Sequence, residues 1–158
     1  MVLYKLENIM IARVISGVIG LFMLSSALRW ILDPASAAAG LAMVLVEGPG
    51  NTTMGLNTQI GDFTAFFFTA GLMACIGAYR NEYVWLYTTI SLLGSAAIFR
   101  IYAGLVHGAD YLARAIAIEI IISVLLGLSI YLMKKRERKE LERDFQGFDD
   151  CTLPFDNG

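Results

Sequence analysis

The sequence predicts an all-α protein, an integral membrane bundle of four helices with both termini in the cytoplasm. Three features point there. Of 158 residues, 57% are hydrophobic and 16% charged, where a soluble domain carries about 25% charged residues. Four apolar segments each reach the roughly 20 residues that a helix needs to cross a bilayer. They cover residues 9–32, 58–79, 83–106 and 111–133. The basic residues are also unevenly placed: six of the 12 Lys and Arg (Lys134, Lys135, Arg136, Arg138, Lys139 and Arg143) directly follow the last segment.

The first segment, 9–32, is too long for the ~7–15-residue core of a signal peptide. It also contains Arg13, although Ala35-Ser36-Ala37 imitates a cleavage site. A membrane anchor that stays in place is expected. The connection 33–57 is the longest and holds no Lys or Arg. Within it, 35–46 is apolar but too short to span and is expected to form a short helix at the membrane boundary. Gly48-Pro49-Gly50-Asn51 reads as a turn. Asn51-Thr52-Thr53 fits a glycosylation triplet, a pattern common by chance. The second and third segments are joined by the short turn Arg80-Asn81-Glu82, and the fourth begins after His107. No run of alternating polar and apolar residues suggests a barrel.

Basic residues flank the cytoplasmic side of membrane helices. The cluster after the fourth segment therefore places the C-terminus in the cytoplasm, and four crossings return the N-terminus there. The remaining chain, 134–158, reads as a charged helix with four-residue pairs, Arg136 with Glu140 and Arg138 with Glu142. A flexible acidic tail follows, in which Phe145, Phe148 and Phe155 are candidate anchors for a membrane-protein partner. The basic residues do not spread over a folded face, so a nucleic-acid partner is not expected.

Without a hydrophobic drive between helices in lipid, close packing of small residues holds such bundles together. Gly17 and Gly20, then Ala70, Ala74 and Ala78, then Ser91 and Ser95, then Ser123 and Gly127 provide that surface on successive helices. Cys75 lies mid-segment and Cys151 in the tail, so no disulfide is expected, and no Cys or His spacing suggests a metal or haem.

A charge inside a span costs about 2.5–3.5 kcal/mol on insertion scales and therefore marks a paired or wet site. Four such residues come from four helices. Counted inward at 1.5 Å per residue, Arg29 lies about 5 Å from the outer end, Asp62 about 6 Å, Arg100 about 9 Å and Glu119 about 12 Å. His107 shares a helix face with Arg100. The five residues Arg29, Asp62, Arg100, His107 and Glu119 are the candidate cluster, either a buried ion pair that orders the bundle or a pocket open to the outside. Gln59 lies near Asp62, and Ser25 and Ser26 accompany Arg29. Arg114 points about 140° away from Glu119 on an ideal helix and is expected to reach the lipid headgroups instead. Phe66-Phe67-Phe68, Trp85 and Tyr87 read as lipid-facing or interfacial aromatics.

The layout is similar to that of DoxX-like proteins and a neighbouring uncharacterised family of small four-helix bacterial inner-membrane proteins. The residues that carry the resemblance are Arg13-Val14-Ile15-Ser16-Gly17-Val18-Ile19-Gly20, Leu32-Asp33-Pro34, Asn57-x-x-Ile60-Gly61-Asp62-Phe63, Arg100, Gly104 and Glu119. It covers about residues 10–133, and neither the loop 33–57 nor the tail maps onto it. The resemblance implies a bacterial inner-membrane location and an association with quinone-linked redox chemistry. The residues themselves supply no electron carrier, so a bound quinone or a partner would have to. The expected function is a non-enzymatic accessory subunit, or a binder of a lipophilic ligand, acting through the polar cluster. The alternatives are a small proton-coupled transporter and a quinone-linked oxidoreductase component.

Overall fold

The structure is a computed structural model. It describes the backbone of residues 2–50 and 52–151, and the side chains of 10–139, 141 and 142 apart from position 51. The described residues form five helices: α1 (Val2–Leu32), α2 (Pro34–Gly40), α3 (Met54–Arg80), α4 (Val84–His107) and α5 (Ala113–Cys151). Four of them, all but α2, contain stretches long and apolar enough to cross a membrane. At 1.5 Å per residue the 39 residues of α5 extend about 58 Å, well past a hydrocarbon core of about 30 Å. The helix thus carries the basic segment 134–139 away from the apolar slab on the same rod. The side chains of Phe145, Phe148 and Phe155 lie outside the described residues.

The helix ends follow from local chemistry. Asp33 stops α1 and starts α2: its Oδ1 accepts from Ser36 N at 3.1 Å, and Pro34 fills the first helical position. Asn81 closes α3 in the left-handed conformation (φ 57°), and Gly108 closes α4 the same way (φ 67°). The short helix expected over 35–46 ends earlier, at Gly40. There Ala42 takes a positive φ of 55° and Met43 N returns to Ala38 O at 2.9 Å. A Gly48–Thr52 bridge with Gly50 at φ 72° makes the expected turn.

The long helices form a ring in which α1 packs on α3, α3 on α4, α4 on α5 and α5 back on α1. The tightest approach is between α1 and α3. A Cβ built on Gly71 would lie 2.8 Å from Gly20 O and from Leu24, and one on Gly20 would lie 2.8 Å from Cys75 N. Only glycine at these two positions lets the backbones meet, and Ala70, Ala74 and Ala78 continue the buried small-residue face. The expected small surfaces on the other helices are less buried: Ser91 is exposed, and Ser95, Ser123 and Gly127 are intermediate.

Three of the buried hydroxyls are satisfied within the bundle, whereas Thr64 Oγ1 has no partner among the described residues. Thr89 Oγ1 donates to Ala70 O across the α3–α4 seam at 2.8 Å, and Ser16 and Ser129 donate to carbonyls one turn back. Arg13 Nε donates to Ala78 O at 3.0 Å, which fastens α1 to the last turn of α3. The many exposed large side chains, among them Leu21, Phe99, Leu105 and Val124, ring the outside. On a soluble protein such a surface would be a liability. On a membrane bundle it is the lipid face.

The two ends of the bundle differ. At one end, Glu82 in the α3–α4 turn accepts from Trp85 Nε1 at 2.8 Å and from Arg80 Nε at 3.2 Å. These bonds hold the Glu82 carboxyl below its ordinary value, the indole bond first. Glu137 of α5 faces Tyr83, and its negative charge raises the phenol. At the other end, Leu41, Met43 and Leu45 fold over Trp30, Ala37 and Ala38, together with Phe63 and Phe67. The Trp30 and Phe63 rings stack at 4.7 Å, nearly parallel at 8°. This cap closes much of the bundle at the α2 end and forms the roof of a cavity.

Candidate functional site

The cavity has a volume of about 440 Å³, within the ~300–1,000 Å³ of small-molecule sites. It lies between α1 and α5 under α2 and the Leu41–Ala42 turn. Phe22, Met23, Trp30, Phe67, Leu93, Ile118 and Ile122 supply apolar walls. Three charged residues also line it: Arg29 from α1, and Arg114 and Glu119 from α5.

Glu119 is the central group. It is 8% exposed, and Arg100 Nε donates to its Oε1 at 3.0 Å. The other oxygen, Oε2, is buried and has no hydrogen-bond partner among the described residues. A buried, unmatched carboxylate oxygen is costly, and a group that remains so in a folded protein calls for an explanation. Ser123 Oγ donates to the Glu119 backbone carbonyl at 2.7 Å and leaves Oε2 open. Arg100 does not line the cavity, so what stands at its wall is a carboxylate neutralised from the side of α4, with its second oxygen buried and unmatched.

The five expected residues divide. Arg100 and Glu119 form the ion pair, and Arg29 joins Glu119 at the cavity. The guanidinium of Arg29 donates to Ser36 Oγ at 3.3 Å, which ties α1 to α2. Asp62 is exposed, does not line the cavity and has no ion-pair partner among the described residues. It sits on α3, which lines the cavity through Phe67, five residues further along the helix. Helix rotation explains its absence: α3 turns Phe63 and Phe67 inward, and Asp62 and Gly61 lie on the exposed face. His107 is also exposed, its ring edge-on to Tyr102 at 5.8 Å, away from the cavity. Gln59 turns to Val46 O at 2.9 Å and holds the loop after α2 rather than Asp62. Ser25 and Ser26 bond to Phe22 O within their own helix.

Three participants escape an ideal-helix count. Arg114, expected to reach the lipid headgroups, is exposed and also lines the cavity, from the first turn of α5. Phe67, expected to face lipid, packs inward, as does Phe66 in part, while Phe68 stays exposed. Trp30 is 2% exposed and stacked on Phe63. Its place directly after Arg29 was the available signal, since adjacent helix positions lie 100° apart and one can be buried while the other reaches the rim. Gly104 packs against the Tyr111 ring, and a Cβ there would collide with it, which sets the α4–α5 turn beside this end.

Among the described residues, no three His, Cys, Asp or Glu side chains are grouped to hold a metal ion. Cys75 is a free thiol in the α1–α3 groove, and Cys151 has no described side chain. The cavity can bind an apolar body, offer two guanidinium groups to an anion or acceptor, and accept one hydrogen bond at Glu119 Oε2. In comparison with protein-family models, curated proteins and solved structures, the chain has no match.

Proposed function

We propose that this is a non-enzymatic membrane protein that binds a lipophilic ligand in the α1–α5 cavity, either on its own or as an accessory subunit. The observation that carries the reading is Glu119, a buried carboxylate at the wall of a largely apolar cavity, with one oxygen paired to Arg100 and the other, Oε2, without a partner among the described residues. A purely structural ion pair would be expected to fill both oxygens, because half-satisfied buried networks are unfavourable. The arginine-free loop and the basic segment after the fourth span support an orientation with both termini in the cytoplasm and the cavity at the outer face. A bacterial inner-membrane setting is part of this reading on the strength of the sequence resemblance to DoxX-like proteins alone, and the tail phenylalanines remain the candidate anchors for a partner.

The test is native mass spectrometry of the protein in mild detergent, with Ala115→Phe as a cavity-filling variant. A discrete bound mass in the wild type that is absent from a folded Ala115→Phe variant is the expected result. A ligand-free wild type, or a mass that the filled variant retains, overturns the reading.

A small proton-coupled transporter is the second reading, favoured by a carboxylate held inside a span at the cavity wall with one oxygen unpaired among the described residues. Proton-driven uptake into liposomes should then vanish with Glu119→Gln. Unchanged flux excludes it.

A further inference from the structure

The arrangement of charge with depth narrows the ligand, on the premise that the cavity is a ligand site. Arg114 stands in the first turn of α5. Glu119 lies five residues deeper, about 7.5 Å along the axis, and Ile122 about 12 Å deeper than Arg114. On α1, Arg29 is three residues from the helix end, and Met23 nine. The lining therefore runs from two guanidiniums at the rim, through the Glu119 carboxylate and the Ser26 hydroxyl, to the apolar Met23, Leu93 and Ile122.

The charges do not cancel at the rim. Glu119 is already matched by Arg100. Neither Arg29 nor Arg114 has a carboxylate partner among the described residues, and the only described contact of the Arg29 guanidinium is the Ser36 hydroxyl. The lining thus carries an uncompensated positive charge above an apolar floor.

We propose that the cavity takes an anionic amphiphile that bears a hydroxyl between its charged head and its apolar tail. The head sits between Arg29 and Arg114 in charge-assisted hydrogen bonds. The hydroxyl donates to Glu119 Oε2 and completes that carboxylate. The tail lies against Phe22, Phe67 and Ile122. Hydroxylated fatty acids and lysophospholipids share this order of anion, donor and chain.

Trp30 makes the proposal measurable. It lines the cavity and is 2% exposed, so surrounding lipid and detergent reach it poorly. Trp85 lies at the opposite end, and Trp85→Phe leaves Trp30 as the single indole in a chain with two tryptophans. Quenching of Trp30 is titrated with 2-bromododecanoate and with 2-bromododecanol, which share the chain, carry the bromine beside the head and so next to Trp30, and differ in the charge of the head.

Saturable quenching by both, with the acid about tenfold tighter, is the expected result. Arg29→Gln with Arg114→Gln, which leaves micelle partitioning unchanged, should reduce the preference to about twofold or less. Arg29→Lys with Arg114→Lys should keep most of it, which separates loss of charge from loss of fold. 3-Hydroxydodecanoate should displace the bromo acid more effectively than dodecanoate does, and Glu119→Gln should erase that advantage. Preferential displacement by lauroyl lysophosphatidylglycerol assigns a phospholipid source, and by 3-hydroxydodecanoate a fatty-acid source.

Equal affinity for acid and alcohol, unchanged by the glutamine pair, overturns the anionic head while the cavity still stands as a site. No saturable quenching by either probe overturns the cavity itself.

Discussion

Replacing Arg100 by methionine removes the partner of Glu119, the most buried charged side chain among the described residues. The two side chains meet at 3.0 Å and are 30% and 11% exposed. Stranding one partner of a buried pair costs about 3–5 kcal/mol. Arg100→Met leaves the more buried partner alone, with Oε2 already unmatched, so about 3 kcal/mol is expected. Glu119→Gln strands the more exposed partner, which can swing toward the membrane boundary, and should cost only about 1 kcal/mol. If the pair is the main interaction of both residues, the double variant should cost about 2 kcal/mol rather than the additive ~4. The coupling of about 2 kcal/mol is read by unfolding wild type, single and double variants in mixed micelles with rising dodecyl sulfate, followed by circular dichroism. Coupling below about 0.5 kcal/mol would refute the reasoning, since the contact would then contribute no more than a screened surface pair.

Three further outcomes follow from the packing and the turn. Gly71→Val places a branched side chain 2.8 Å from Gly20 O and Leu24; a loss of about 1–3 kcal/mol is expected in the same unfolding assay, and a neutral result would show that α1 and α3 can separate freely. Trp30→Ala removes a stacked, buried ring and should cost about 3–5 kcal/mol and abolish the quenching signal; a stable variant would mean that the α2 cap is not part of the cooperative fold. Glu82 is held below its ordinary value by Trp85 and Arg80, so its contribution is present above the unfolded carboxyl value and is lost as pH falls through the lower, folded one. Wild-type tryptophan fluorescence should therefore titrate below the ordinary glutamate range. Glu82→Gln should lack that step, and a midpoint at the ordinary value would show that the turn bonds do not persist in solution.

The fold was legible because the rules that govern it are coarse. Length and apolarity pick out membrane helices, since lipid leaves a backbone no other partner. Asp33-Pro34, Asn81 and Gly108 mark helix ends through capping chemistry that depends on two or three neighbouring residues. Small residues on the first two spans marked the α1–α3 seam correctly, because glycine at a crossing has one main use in lipid. The same reasoning overreached for Ser91, which is exposed. The extent of α2 was overestimated because 35–46 is apolar apart from Ser36, while the chain leaves the helix after Gly40 and lays Met43 and Leu45 over Trp30.

The site was legible only in its pair. Arg100 and Glu119 could be matched because opposite charges at similar depth in neighbouring antiparallel helices have few other partners. Depth fixes one coordinate of a side chain, however, and helix rotation fixes another. Asp62 shares the depth of the pair and faces outward, because α3 is turned to stack Phe63 on Trp30, an aromatic contact that opposes any rotation bringing the carboxylate in. Arg114 has the opposite history. An ideal helix points it away from Glu119, yet from the first turn of α5 its long side chain lines the cavity while remaining exposed. One aromatic stack and one long side chain therefore exchange an acid for a base at the mouth of the cavity. The expected cluster, with two carboxylates and two arginines, would have been nearly neutral and self-satisfied. The cluster that forms has one carboxylate already paired and two guanidiniums facing open space. A neutral cluster explains itself as scaffolding, whereas this one leaves an acceptor without a donor and two cations without a carboxylate among the described residues, and the proposed ligand rests on that imbalance.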